Sequence, residues 1–292
     1  MKTYTKINTL YKRYDISKDS VPDKKWMAMK SKIILGDFSD PWAAYLWDCK
    51  FDCFSKIDGT NTRLVWFPGR QELIVLGKTD DSDPNQFGTQ DFFASIRENL
   101  KQKLQTLFPK PKYVQTLDPE TKLPLYHDDR GNSIVKPQSP GTLMADILEE
   151  PVIVYGEYYG KGIGQAGKQY GEKSFRVFDV YAQGCWYPID MMKETAESLG
   201  FEIAPYIGQL SLREAEERVK AGFKTLIPGV NNPEYNEEGI VARPVIPLFD
   251  GRKNRIIVKI KTKDYADLER GIKEMGGQEE YEKFKSWYND RG

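Results

Sequence analysis

A polar octet between two apolar runs limits the possible folds of this chain more than any other stretch. Cys53-Phe54 leads in and Leu64-Val65-Trp66-Phe67 leads out; between them stand Lys56, Ile57, Asp58, Gly59, Thr60, Asn61, Thr62 and Arg63. Asp-Gly flanked by apolar runs is a strong short-range turn signal, so the stretch reads as strand, turn, strand. Side chains repeat every second residue along a strand, which would put Lys56 and Asp58 on one face. The plainest version is an exposed hairpin with a polar tip. Pro68-Gly69 marks the next turn, and Glu72–Gly77 is a further apolar run, so the pattern extends as a meander.

Lys30–Leu35 reads as a short strand and Trp42–Trp47 as a short helix. Phe92, Phe93, Ile96, Leu100, Leu104 and Leu107 recur at helical spacing, which predicts a helix over Asp91–Phe108 ended by Pro109. Residues 110–142, rich in Pro, Asp and Gly, read as a long loop or a hairpin around Asp129-Arg130-Gly131-Asn132. Buried strands are expected at Pro151–Gly160 and Ser174–Ala182, a helix at Asp190–Leu199, and strands at Glu238–Val245 and Arg255–Lys263. Ser211 and Glu214 have capping-box spacing, opening a helix that stops at Gly222. Tyr265–Gly292 is polar and helical, broken at Gly276-Gly277. Many antiparallel-looking strands with fewer helices give an α+β class rather than a βαβ series.

The chain has 292 residues, enough for one large domain or two small ones. No apolar run approaches the roughly 18–20 residues of a membrane span, and the first residues lack the apolar core of a signal peptide. Three cysteines, Cys53 and Cys185 among them, form no CxxC pair, and His127 is the only histidine. A disulfide framework and a Cys/His zinc site are both disfavoured, and a reducing cytoplasmic setting is expected. Net charge is zero, yet residues 1–33 carry nine Lys/Arg against three Asp, and residues 97–112 five Lys/Arg against one Glu. Such local basic surfaces either are solvated helix faces or follow a phosphate backbone.

Gly162, Gly164 and Gly167 form a GxGxxG, and Gly162–Lys168 nearly matches a phosphate-binding loop. Gln169 stands where that loop needs Ser or Thr for magnesium, and a strand rather than a long helix follows. A mobile glycine-rich loop after Glu157 is the expectation. In a strand, Lys259, Lys261 and Lys263 share one face and Val258, Ile260 and Thr262 the other. A row of ammonium groups either faces water or meets a polyanion. Glu238, after Glu237, opens an apolar strand where a carboxylate suits magnesium. Glu157 ends another strand, and Phe178-Asp179 lies inside a third. An aromatic, cations and carboxylates together are the parts for binding a nucleoside triphosphate.

In order, KIDGTN, VYGEYYG, FRVFDV, EGIVARP and IIVKIKTKDY resemble the five motifs of ATP-dependent RNA ligases of the phage type that seals nicks in duplex RNA. The likeness runs from about Lys50 to Tyr265, and TKINTLYKR looks like the lead-in of the same ligases. It implies a nucleotidyltransferase (ATP-grasp-like) fold: antiparallel sheets flanked by helices around a nucleotide cleft. Residues 1–265 would form the adenylyltransferase domain, with 1–50 a basic N-terminal segment and 85–145 an insertion. Residues 266–292 would be a short polar helical tail, too short for an oligonucleotide-binding barrel.

The resemblance implies that Lys56 attacks the α-phosphorus of ATP, giving a lysyl–AMP phosphoramidate. Lys259 and Lys261 would hold the α-phosphate, and Glu238 would place Mg2+ or Mn2+. Asn61 and Lys78 would contact phosphates, with Asp58 and Arg63 among the nucleotide-binding residues. Glu157 would bind the ribose hydroxyls, and Phe178 would stack on adenine with Asp179 supporting it. Only a neutral amine is nucleophilic, and an ordinary lysine is almost wholly charged at neutral pH. Surrounding cations are therefore expected at position 56, since like charge disfavours the ammonium form. AMP would pass to an RNA 5′-phosphate, and a 3′-hydroxyl would displace it. A monomer acting on RNA in the cytoplasm, of a cell or of a virus-infected host, is expected. Two departures stand out: Ser55 where relatives often carry glutamate, and Lys78 where arginine is usual, which loses bidentate phosphate contact. The alternatives are a DNA ligase or other adenylyltransferase, and an inactive nucleic-acid-binding protein.

Overall fold

The computed structural model describes residues 4–80, 82–83, 85–110, 113–117, 124–128, 130, 133–134 and 151–291. Among these the elements run, in chain order, β1 (Asn8–Thr9), β2 (Tyr11–Arg13), β3 (Ile33–Phe38), α1 (Trp42–Tyr45), β4 (Lys50–Ser55), β5 (Thr60–Phe67), β6 (Glu72–Leu76), α2 (Thr89–Leu107), β7 (Tyr113–Leu117), β8 (Pro124–Asp128), β9 (Ser133–Ile134), β10 (Val152–Tyr159), α3 (Gly167–Tyr170), β11 (Ser174–Ala182), β12 (Cys185–Trp186), α4 (Ile189–Leu199), β13 (Glu202–Ile203), β14 (Tyr206–Ser211), α5 (Leu212–Ala221), β15 (Gly239–Pro244), β16 (Val258–Lys261), α6 (Thr262–Met275) and α7 (Gln278–Asn289). The class is mixed α+β, as expected. Two units divide the chain: Met1–Tyr4 with Asp58–Ala204, and Thr5–Ile57 with Pro205–Gly292.

The first unit is built on a sheet of order β12-β11-β10-β5-β6, with β13 parallel to β11. Alternation along β5 sends Val65 to a face where Ile153, Tyr155 and Trp186 cluster. On the helix-covered face, Phe93 of α2 meets the rings of Tyr158 and Phe175. The indole of Trp66 donates to the Phe108 carbonyl just past α2. Over 110–142 the hairpin form of the expectation holds: β8 and β9 pair antiparallel on either side of residues 129–132, and β7 adds a third strand to this small sheet. Asp129, Gly131 and Asn132 of the expected turn lie outside the described residues.

The second unit is built on a sheet of order β1-β16-β15-β4-β14, in which β1 runs parallel to β16. Phe51, Cys53, Ile240, Ala242, Val258 and Ile260 point to one side and form a core with Leu212, Ala215 and Val219 of α5. The capping box is present: Ser211 Oγ accepts from Glu214 N–H, and the Glu214 carboxylate accepts from Ser211 N–H. Helices α6 and α7, separated at Gly276-Gly277, are no appended tail. They bury Leu268, Met275, Tyr281 and Phe284 in the same core. The apolar stripe was masked in the sequence by the charged residues around it.

The hairpin expected at Asp58-Gly59 does not form. β4 pairs with β14 and β15, whereas β5 pairs with β10 and β6. Both edges of each strand are thereby taken, so neither has a ladder left for the other. Lys56 and Asp58 lie outside any strand and share no strand face.

Candidate active site

In the second unit, β4 delivers Lys56 to a carboxylate. Its Nζ donates to Glu238 Oε2 at 2.5 Å, and the other oxygen of Glu238 takes Lys261 Nζ at 2.9 Å. Main chain fixes both partners. Lys56 N–H donates to the Gly239 carbonyl, and Thr262 N–H to the Glu238 carbonyl. Thr262 Oγ1 adds a bond to the Glu237 carbonyl. The charged group nearest Lys56 is thus an anion, with Lys261, one of the cations expected there, on its other oxygen, and the amine is oriented in an ion pair. Burial pushes the Glu238 carboxyl up, but Lys56 and Lys261 outweigh it and hold it below its usual range.

Lys259 and Lys261 share a face of β16, with Val258 and Ile260 buried behind them. The strand stops at Lys261, so Lys263 falls on α6, exposed, and leaves the lysine row. Glu238 stands just before β15 rather than within it, and Val245 just after it. Sequence reasoning passed over Glu237 and Thr262, whose roles depend on contacts remote in the chain. Glu237 is 1% exposed and accepts from Thr225 Oγ1 and Leu226 N–H. Burial raises its carboxyl.

The two adjacent carboxylates therefore respond to pH in opposite senses. Glu238, held low, contributes stability above the ordinary glutamate range that is lost as pH falls through its folded value. Glu237, held high, loses stability as pH rises from that ordinary range toward its folded value. Between pH 4 and 8, Glu237→Gln should gain thermal stability over the wild type as pH rises, and Glu238→Gln should lose it. Melting temperatures across that range check both signs.

In the first unit, Asp58 secures the glycine-rich segment. Its Oδ2 accepts from Gln165 N–H at 2.9 Å and Ala166 N–H at 2.8 Å, and its own N–H donates to Tyr170 Oη. The segment after Glu157 is held rather than loose, and Asp58 is committed to it. Asn61 faces Glu157 directly across the β5–β10 ladder, and its Oδ1 is buried without a hydrogen-bond partner. A phosphate, which offers no donor of its own, would meet the Asn61 amide nitrogen instead.

The ladder of β10 and β11 passes from the pair Tyr155–Asp179 to Gly156–Val177, skipping Phe178. This bulge aims Phe178 toward the Tyr155–Trp186 cluster. Tyr4 packs edge-on to Phe178 and donates from Oη to Asp179 Oδ2 at 2.9 Å. Nothing local in the sequence marks Tyr4, because its partners lie some 175 residues away. Arg63 is fully buried; Nε donates to the Gly77 carbonyl and Nη2 pairs with Asp80. The guanidinium is held inside the unit by these two contacts, and its Nη1 is buried without a hydrogen-bond partner. Lys78 is exposed in the turn after β6.

An oxygen-seeking divalent ion that retains several waters fits a single carboxylate such as Glu238. Among the described residues no group of three or more His, Cys, Asp or Glu gathers as a full metal cage. Among them also, no helix is long and apolar enough to cross a membrane, and Cys49, Cys53 and Cys185 are free thiols.

A family model described as RNA ligase matches residues 53–261. Among curated proteins none matches this chain. Solved structures of Naegleria gruberi RNA ligase mutants are similar at 14% identity. One without ligand has a TM-score of 0.47 and covers 78% of this chain and 53% of its own. One with AMP and Mn has a TM-score of 0.48 and covers 79% and 55%. This chain spans about half the length of those proteins.

Proposed function

Because the chain belongs to the RNA ligase family, we propose that it is an ATP-dependent RNA ligase using Lys56 as the nucleophile. The observation that carries this reading is the Lys56–Glu238–Lys261 arrangement, an amine and a second cation held on one carboxylate. An amine in an ion pair is oriented but not yet nucleophilic, so a proton leaves before attack. Lys56 Nζ then bonds to the α-phosphorus of ATP and pyrophosphate departs. The 5′-phosphate of RNA attacks the adenylyl phosphorus and frees Lys56. The 3′-hydroxyl attacks that 5′-phosphate, joining the strands and releasing AMP.

Lys259 and Lys261 supply positive charge to the transferring phosphoryl group, a positioned electrostatic role. Asn61 contacts phosphate, Glu157 the ribose, and Phe178 stacks on adenine, its carrier strand braced by Asp179 and Tyr4. Asp58 acts through the segment it secures. Arg63 acts as an internal brace, and Lys78 reaches phosphate from solvent. Glu238 would hold Mg2+ or Mn2+, largely through water, and the ion supplies charge neutralisation when bound. The substrate is RNA with 5′-phosphate and 3′-hydroxyl ends, and the working form is a cytoplasmic monomer.

The test is mass spectrometry of the protein with ATP and magnesium, followed by sealing assays. A gain of one AMP, then faster closure of nicks with RNA than with DNA 3′-hydroxyl strands, supports the reading. No AMP gain refutes it, and preference for DNA moves the chain to a DNA-joining role.

A further inference from the structure

The second unit carries an exposed apolar arm that its core does not use. Directly after β15 come Val245, Ile246, Leu248 and Phe249, exposed by 44%, 74%, 39% and 53%. Pro247 between them is exposed as well. The arm is ordered by its own bonds: Ile256 N–H donates to the Leu248 carbonyl, and Phe249 bridges Arg255. Asp250 closes the tip, accepting from Arg252 N–H, Asn254 N–H and Asn254 Nδ2. Asp250 is half-buried and close enough to Arg252 to feel its charge, and Arg252 and Lys253 are exposed. A contiguous exposed apolar run of this kind marks an interaction surface.

Position along the hairpin indicates what covers it. β15 starts beside Glu238 and β16 ends at Lys261, so the arm lies at the far end of the strands that carry the adenylylation residues. Six residues of strand span ~20 Å, the length of about six nucleotides at ~3.4 Å each. A nucleic acid offers apolar base faces for Ile246 and Phe249 and phosphates for Arg252 and Lys253. A second copy of this chain would instead set those cations against their equals.

We propose that the 245–253 arm grips the RNA strand leading away from the end being sealed, an inference that rests on the ligase reading above. Two double variants of the full chain test it: Ile246→Ser with Phe249→Ser, and Arg252→Ala with Lys253→Ala. The probe is a single-stranded RNA bearing a 5′-phosphate, whose bases are free to stack, read by fluorescence anisotropy over a salt series. The first pair should weaken binding about tenfold, as loss of the Phe249 stacking contact and the Ile246 apolar contact implies. The second should flatten the salt dependence by about two phosphate contacts. Both should retain wild-type AMP uptake from ATP and wild-type melting temperature. Unchanged RNA affinity in folded variants overturns the proposal. So does wild-type self-association, or binding to anionic lipid vesicles, that the serine pair abolishes while RNA affinity stays constant. Failure of the wild type to take up AMP would refute the ligase reading instead, and RNA affinity would still judge the arm.

Discussion

Lys56→Ala is expected to abolish transfer of label from α-labelled ATP to the protein, by at least about 10³-fold, as removal of a covalent nucleophile does. The fold should survive, because Glu238 keeps Lys261 as a partner at 2.9 Å. Lys56→Arg sharpens the result. Arginine preserves the ion pair with Glu238 but stays charged and cannot attack phosphorus. It should therefore melt like the wild type and label no better than alanine. Labelling retained in either variant removes Lys56 as the nucleophile. Wild-type labelling with RNA sealing lost would instead locate a fault after the first step.

Gly239→Ala should be the most damaging substitution of a small residue. Gly239 has φ +153°, and a Cβ added there would sit 2.0 Å from the Ile260 carbonyl oxygen and 2.9 Å from Lys261 Cα. Both neighbours are main chain, so the ladder itself must open between Gly239 and Lys261. A loss of about 2–4 kcal/mol is expected from strain and overpacking together. Thermal or denaturant unfolding measures it, and labelling of Lys56 should fall even where the variant remains folded. Gly69→Ala is the control: nothing lies within 4 Å of its added Cβ, and it should behave as the wild type. Equal behaviour of the two variants would contradict the strand register.

Much of this architecture is legible in the residues. β11 forms over Ser174–Ala182 as the buried strand expected there, α4 and α5 end at glycines, and Lys259 and Lys261 stand on one face because Val258 and Ile260 must be buried. Misreadings occur where a local signal has a distant use. Asp58-Gly59 has hairpin chemistry, but the Asp58 carboxylate binds amides more than a hundred residues later. The row of lysines is cut short at Lys261 because α6 begins at Thr262.

From the sequence alone came most of the longer elements, the buried face of β16, and residue types that resemble the family's motifs in order. These depend on periodicity and capping, which act over a few residues. Tertiary structure alone decided which strands pair, that Glu238 rather than a cation sits on Lys56, and that Tyr4 braces Asp179. The physical reason is range: a strand edge or a carboxylate is satisfied by whichever partner the folded chain brings within about 3 Å. Those partners stand 182 residues apart for Lys56 and Glu238, and 175 for Tyr4 and Asp179.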